Sequence, residues 1–260
     1  MNPTHDQQNR QIIDQFTRQA EPFARHPAHS TEESLRLVVE AVGLTPDDTL
    51  LDVACGPGLT ACAFAPHARQ ITGIDLTPAM IDQARRRQAE AGLDNMDWHV
   101  GDVSQLPFAD GQFSVAFSRY AFHHLLDPAA VLAEMVRVTR PDGRVVVADV
   151  YTSSPEQAAA YDRVERLRDP SHVRALGLEE LTGLFRDAGL EDVTTTFYGL
   201  DTSLESLLAA SFPGDAAADA VRQTFGEDLG VNRLGVNARQ IDGDLWFTFP
   251  IVIVGGRRRV

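Results

Sequence analysis

The run Leu50-Leu51-Asp52-Val53-Ala54-Cys55-Gly56-Pro57-Gly58 is the densest chemical signal in this 260-residue chain. An apolar stretch leads into a carboxylate, then two glycines one residue apart, then Leu59 to Ala65, which reads as a helix. A buried parallel strand that ends in a tight turn and opens a helix has this order of residue types. Glycine lets the backbone approach a ligand where a Cβ would block it. The helix that follows aims unpaired N–H groups and a positive dipole end at whatever is bound. Gly56-Pro57-Gly58-Leu59-Thr60-Ala61 also fits the G-x-G-x-x-G/A dinucleotide fingerprint, with Asp75 about 20 residues on, where a ribose-binding acid is expected. Asp52 separates the ligands such a loop can take. A carboxylate is repelled by a pyrophosphate and attracted by an ammonium group. The acid favours a ligand with an amino-acid end and leaves an NAD-dependent oxidoreductase as the remote alternative.

Further ionisable groups follow. His123-His124 is a candidate general base, because imidazole titrates near neutrality; its other reading is capping or packing of the segment from Ala121 to Leu126. The pair lacks H-x-x-x-H spacing and adjacent residues point apart, so no metal site is read here. Asp149 and Tyr151 end a fifth strand-like run. The stretch Glu165-Arg166-Leu167-Arg168-Asp169-Pro170-Ser171-His172 reads first as a solvated helix end with an Asp-Pro stop. Its functional reading makes Arg168 a substrate contact and His172 a third candidate base.

The elements that must position these groups come from periodicity. Residues 6 to 24 predict a helix with Ile12, Ile13, Phe16, Ala20 and Phe23 on one face, broken near Glu21-Pro22. A second helix is expected from about Thr31 to Val42, capped by Ser30 or Thr31. Strands at 49–54, 70–75, 96–101, 113–118 and 143–150 then alternate with helices at 58–66, 78–91 and 128–139. Repeated βαβ units mean a parallel sheet covered on both faces. Helices at 154–168 and 178–188, a strand at 190–200, and a long helix-and-loop stretch at 202–243 precede a last strand at 246–254.

Composition narrows the function classes. The net charge is −14 and all 23 basic residues are arginine, which argues against a nucleic-acid partner that needs a positive surface. Arg257-Arg258-Arg259 reads as the solvated end of the last strand. No run of 18 apolar residues and no basic-then-apolar leader is seen, so neither membrane insertion nor secretion is expected. Cys55 and Cys62 fit a reducing, cytoplasmic setting better than a disulfide.

Six pieces together resemble a class I S-adenosylmethionine-dependent methyltransferase of the small-molecule type, related to the ubiquinone/menaquinone biosynthesis enzymes. In chain order they are Leu51 to Gly58, Gly73 to Met80, Gly101 to Phe108, Phe113 to Ser118, His123-His124-Leu125, and Arg137 to Gly143. The resemblance implies a Rossmann-like α/β fold with a seven-stranded sheet, order 3-2-1-4-5-7-6 and strand seven antiparallel. It implies one domain over 1–260: a helical lid at 1–44, a donor-binding core at 45–150, and acceptor-side helices at 151–260 with 202–243 as a cap insertion.

The cofactor implied is S-adenosyl-L-methionine. Asp52, Ala54, Cys55, Gly56 and Gly58 are expected at its methionine half, with backbone of Ser118 or Arg119. Asp75 is expected at the ribose, and Leu76, Met80, Asp102 and Val103 around the adenine. Ala54 replaces a glycine common in the family, which suggests a backbone there without positive φ. Tyr120, Asp149, Tyr151 and Arg168 are the substrate-side candidates. Ser118-Arg119-Tyr120 stands where nucleic-acid amino-methylating enzymes carry D/N-P-P-Y/F, which points to a small-molecule acceptor, secondary-metabolite or quinone-like. A donor-binding protein or a cyclase without methyl transfer is the alternative.

Overall fold

The computed structural model describes residues 4–25 and 32–259. Its elements run α1 (His5–Arg25), α2 (Glu32–Val42), β1 (Thr49–Val53), α3 (Leu59–Phe64), β2 (Gln70–Asp75), α4 (Pro78–Ala91), β3 (Met96–Val100), β4 (Phe113–Arg119), α5 (Pro128–Val138) and β5 (Thr139–Thr152). Then come α6 (Pro155–Arg168), β6 (Leu176–Gly177), α7 (Leu178–Asp187), β7 (Leu190–Ser203), α8 (Leu204–Ser211), α9 (Asp215–Glu227), β8 (Arg239–Ile241) and β9 (Asp244–Arg258). The first helix continues past the break expected at Pro22 to Arg25, and the cap expected at Ser30 or Thr31 lies outside the described residues.

The sheet runs β3-β2-β1-β4-β5-β9-β7. The first five strands are parallel, and β9 runs antiparallel to both β5 and β7. With β7 and β9 counted as strands six and seven, this is the expected order 3-2-1-4-5-7-6. Two short strands raise the count to nine: β6 pairs with β5, and β8 forms a hairpin with β9. Runs of two and three residues are too short to show a period of two in sequence.

The central strands are apolar because both faces are covered. All seven residues of β4 are buried. On one face Leu51, Val53 and Val145 pack with Leu132 and Met135 of α5. On the other, Leu50, Phe117 and Ile253 pack with Val38 of α2 and Phe64 of α3. A third cluster lies at the far end of β5, β7 and β9, where Val150, Leu200 and Phe249 meet Tyr161 of α6, Leu207 of α8 and Phe225 of α9. The 202–243 stretch is thus two helices and a hairpin strand packed on the carboxyl end of β5. Among the described residues no helix is long and apolar enough to cross a membrane.

The glycines of the first turn divide their work. Gly56 (φ +53°) has nothing within 4 Å of a built Cβ, so its backbone faces open space. At Gly58 (φ +73°) a Cβ would lie 2.8 Å from the Trp98 ring and 2.9 Å from Ala84, so this glycine serves helix packing. Gly73 on β2 is tighter still, with Trp98 2.4 Å from a Cβ. Ala54 corrects the sequence reading, because it adopts φ +58°. The turn needs a left-handed residue there, and alanine accepts a cost of about 1–2 kcal/mol for it. The bonds from Cys55 N–H to Ile74 O (3.0 Å) and Gly58 N–H to Cys55 O (3.1 Å) hold the conformation.

Candidate active site

Two adjoining cavities open at the carboxyl ends of the parallel strands, where open α/β sheets bind ligands. The first encloses about 1210 Å³ of empty space, solvent-open in part. Asp52, Ala54, Cys55 and Gly56 line it from β1 and its turn, Asp75 and Leu76 from the end of β2, and Met80 from α4. Asp102, Val103 and Ser104 after β3 complete one side, Arg119 and Tyr120 the other, and α1 roofs it with Gln8, Ile12 and Phe16. Gly58 and Ser118 are absent from this lining. Ser118 is buried, and its Oγ has no hydrogen-bond partner among the described residues.

Asp52 is 2% exposed, and its Oδ2 has no hydrogen-bond partner among the described residues. Burial pushes its carboxyl up to about 8; Arg119 opposes the rise, and Asp75 adds to it. A buried acceptor of this kind is costly unless a cation reaches it, and the α-ammonium of an amino-acid ligand in the cavity would supply one. The donor set therefore fits S-adenosylmethionine.

Asp75 accepts from Gly56 N–H on Oδ2 and from Thr77 N–H on Oδ1, each at 2.8 Å. It ties the glycine turn to the start of α4 and keeps lone pairs for a diol. Burial raises its pKa, and with 8% exposure it is a structural residue as well as a cavity residue. Asp102 accepts on Oδ2 from His5 Nε2 at 2.6 Å and Asn9 Nδ2 at 2.7 Å, both on α1, and on Oδ1 from Ser104 N–H at 2.8 Å. Burial opposes it, but these bonds hold its carboxyl down at about 2.

Arg119 lies 4.4 Å over the ring of Tyr120 and donates to the Tyr120 hydroxyl (3.1 Å), Thr60 Oγ1 (3.3 Å) and Ser34 Oγ (3.4 Å). Tyr120 itself has φ +57°, a strained conformation of the kind that gathers at functional sites. Its hydroxyl meets that of Tyr198 on β7 at 2.7 Å.

The second cavity, about 670 Å³ of empty space, shares Phe16, Tyr120 and His124 with the first. Val150, Leu200, Leu207, Phe249 and Ile251 give it apolar walls, and His123, Asp149, Tyr161, Glu165, Arg168 and Asp169 give it a polar end. His123 Nδ1 lies 2.6 Å from Asp149 Oδ1. Asp149 also accepts from Phe122 N–H and Val150 N–H, each at 2.7 Å. A fully engaged carboxylate fixes the imidazole with Nδ1–H inward, which leaves Nε2 as the free basic nitrogen. Burial works against a charged His123, but Asp149, with Glu165 and Asp169 behind it, outweighs burial and raises its pKa.

The other histidines are held differently. His124 Nδ1 donates to Ser171 O at 3.1 Å, and burial together with His123 pushes its pKa down to about 3. His172 lines neither cavity and is anchored by Nε2 to Asp162 Oδ1 at 2.8 Å. Tyr151 also lines neither; its ring packs on Phe197 at 5.4 Å. The segment from Glu165 to His172 is no solvated helix end, since Glu165, Asp169, Ser171 and His172 are all buried. Residues that sequence reasoning missed come from α1 and from Tyr161 and Glu165. Gln8, Gln15 and Gln19, spaced on one helical face and each 3% exposed, were the available signal. Among the described residues no three His, Cys, Asp or Glu side chains are grouped to hold a metal ion.

The fold and the first cavity define a Rossmann-like enzyme that binds a ligand with an amino-acid end. Residues 51–147 match the methyltransferase domain family. The chain is 33% identical over 171 residues to the uncharacterized methyltransferase YcgJ of Bacillus subtilis, covering 65% of this chain and 68% of that one. It is 33% identical over 181 residues to the ubiquinone/menaquinone biosynthesis C-methyltransferase UbiE of Desulfotalea psychrophila, covering 61% and 72%. The crystal structure of the Bacillus YcgJ protein superposes with a TM-score of 0.81 at 25% identity, over 88% of this chain and 99% of that chain. The protein belongs to the class I S-adenosylmethionine-dependent methyltransferases, and S-adenosylmethionine is its methyl donor.

Proposed function

We propose that the enzyme methylates a small molecule held in the second cavity, of secondary-metabolite or quinone-like character. The observation that carries this reading is the wall of Tyr120, His124 and Phe16 shared by the two cavities, which lets two ligands meet end to end. The apolar lining of the second cavity suits a ring or hydrocarbon body, and the name of the Desulfotalea relative points the same way. The bound donor supplies an electrophilic methyl carbon on a sulfonium.

The chain's own residues do the rest. Asp52 and Arg119 hold the amino-acid end, Asp75 orients the ribose, and Leu76, Met80 and Val103 cover the adenine. His123, oriented by Asp149, takes a proton from the acceptor at Nε2. Alignment of the two ligands in place of collision supplies about 7–11 kcal/mol of barrier lowering, and the base adds about 10²–10⁴-fold. His124 and Tyr120 shape the passage between the cavities.

The test is incubation with methyl-labelled donor and a fractionated extract of the source organism. Label in a small-molecule fraction, detected by mass, is the expected result. Label confined to protein or nucleic acid would overturn the reading.

A further inference from the structure

We propose that the second cavity selects neutral, apolar-bodied acceptors against carboxylated, sulfonated or phosphorylated ones, and that Glu165 sets this selectivity by occupying the Arg168 guanidinium. The inference rests on that cavity being the acceptor's. A guanidinium on a cavity wall is ordinarily an anion receptor, because its planar donors match carboxylate and phosphate oxygens. Here the fork is already engaged. Arg168 gives Nη2 to Glu165 Oε2 and Nε to Glu165 Oε1 (3.4 Å), one helical turn away on α6, and Nη1 to Ser211 Oγ at 2.9 Å. The side chains are 13% and 4% exposed, so water screens the pair little.

Among the described residues the rest of the polar end offers no free cation. His123 is matched by Asp149 at 2.6 Å. Asp169 accepts from Ser171 N–H at 2.9 Å and from the Ser171 hydroxyl at 2.6 Å, and stands beside the Arg168 charge. With Arg168 and His123 both charged, the carboxylates Asp149, Glu165 and Asp169 still exceed the cations by one. An entering anion thus meets a net negative end in a low-dielectric pocket, and it can take the paired Nε and Nη2 donors of Arg168 only by displacing Glu165. A neutral acceptor meets no such barrier, and the apolar walls reward its body.

Two fluorescent probes with one ring system test this: neutral N-phenyl-1-naphthylamine and its sulfonate, 8-anilinonaphthalene-1-sulfonate. Both are titrated into enzyme saturated with S-adenosylhomocysteine, so that the donor cavity is filled. The wild type should bind the neutral probe at least about tenfold more tightly, and Glu165→Gln should strengthen sulfonate binding by about tenfold or more, the worth of a charged hydrogen bond. Arg168→Gln should weaken the sulfonate further, and the double variant E165Q/R168Q should bind it more tightly than Arg168→Gln alone. That last comparison stands even if an unpaired Arg168 keeps Glu165→Gln from folding. Ala210→Trp, which fills the cavity from α8, should abolish binding of the neutral probe. Neutral-probe binding with a sulfonate ratio unmoved across folded Glu165 and Arg168 variants overturns the selectivity alone. No neutral-probe binding, or binding untouched by Ala210→Trp, overturns the acceptor cavity itself.

Discussion

Burial keeps the Asp52 carboxyl protonated at neutral pH until a cation arrives, because its pKa stands at about 8 in the unliganded protein. An ammonium group beside it lowers that pKa, so the complex holds the carboxylate where the free enzyme holds the acid. Binding below pH 8 should therefore release a proton, and donor affinity should fall by up to tenfold per unit as pH drops. Calorimetry with S-adenosylhomocysteine at pH 7, in buffers of different ionisation enthalpy, should count close to one proton released. Asp52→Asn should remove that release and weaken binding by about 1.5–3 kcal/mol. Release that persists in the variant would assign the proton elsewhere.

At the same scale, a base at His123 must be neutral to act. Its pKa is raised above 6.5 by Asp149, so activity should fall as pH drops through a value above the ordinary histidine range. Asp149→Asn should move that limb to lower pH, and His123→Ala should remove it with a loss of about 10²-fold or more at constant donor affinity. His124, held down at about 3, cannot produce a limb in this range. Asp52 and the histidine pair were legible in sequence as candidates because their types and neighbours suggest charge. The choice among three histidines was not, since the partner that selects His123 lies 26 residues away.

Elements were legible where a single physical rule dominates. The apolar runs of β1, β2, β4 and β5 announce strands buried on both faces; the edges of β1, β2 and β4 fall within one residue of their expected places, whereas β5 starts four residues early, at Thr139, and ends two late, at Thr152. The Trp98 ring shows what the pattern cannot carry: it lies across both Gly73 and Gly58, so β3 and the ligand turn share one packing contact. Gly73→Ala should force that ring away and cost about 1–3 kcal/mol in urea unfolding, as overpacked cores do. It should also loosen the turn at Gly58 and weaken donor binding. Gly92→Ala is the contrast, with φ +63° but nothing within 4 Å, so it should cost stability through backbone strain and leave donor affinity alone. Equal loss of affinity in both variants would mean that the ring does not transmit to the turn. Ala54 marks the limit of reading by residue type, because the turn geometry overrides the preference of alanine against positive φ.

Over the whole molecule, α1 lines both cavities of the site. Its N-terminal turn bonds Asp102 through His5 and Asn9. The same end sends Gln8 Nε2 to His124 O (2.9 Å) and Ser171 O (2.7 Å). Gln15 Nε2 reaches Ser211 O on α8 at 2.9 Å, and Gln19 Nε2 reaches it at 3.3 Å. The helix joins the first cavity to the 202–243 stretch through Ser211, with Phe16 on the wall both cavities share. Neither the helix nor that stretch was assigned contacts by sequence, because glutamine–carbonyl bonds between residues over 100 apart leave no local pattern.

A strap of this kind, outside the sheet and held by side-chain hydrogen bonds, belongs to the part of a fold that opens at low free-energy cost. Movement of α1 would widen the way into the partly open first cavity, and catalysis benefits if the helix closes over the ligands and excludes water. Hydrogen exchange with and without S-adenosylhomocysteine should then show α1 and α8 slowing together on binding, while β1, β4 and β5 stay protected throughout. Gln15→Ala with Gln19→Ala should uncouple the two helices, so that donor binding still slows the first turns of α1 but no longer slows α8. If α1 and α8 exchange at the same rates with and without ligand, the strap is a fixed wall and entry must run by another path.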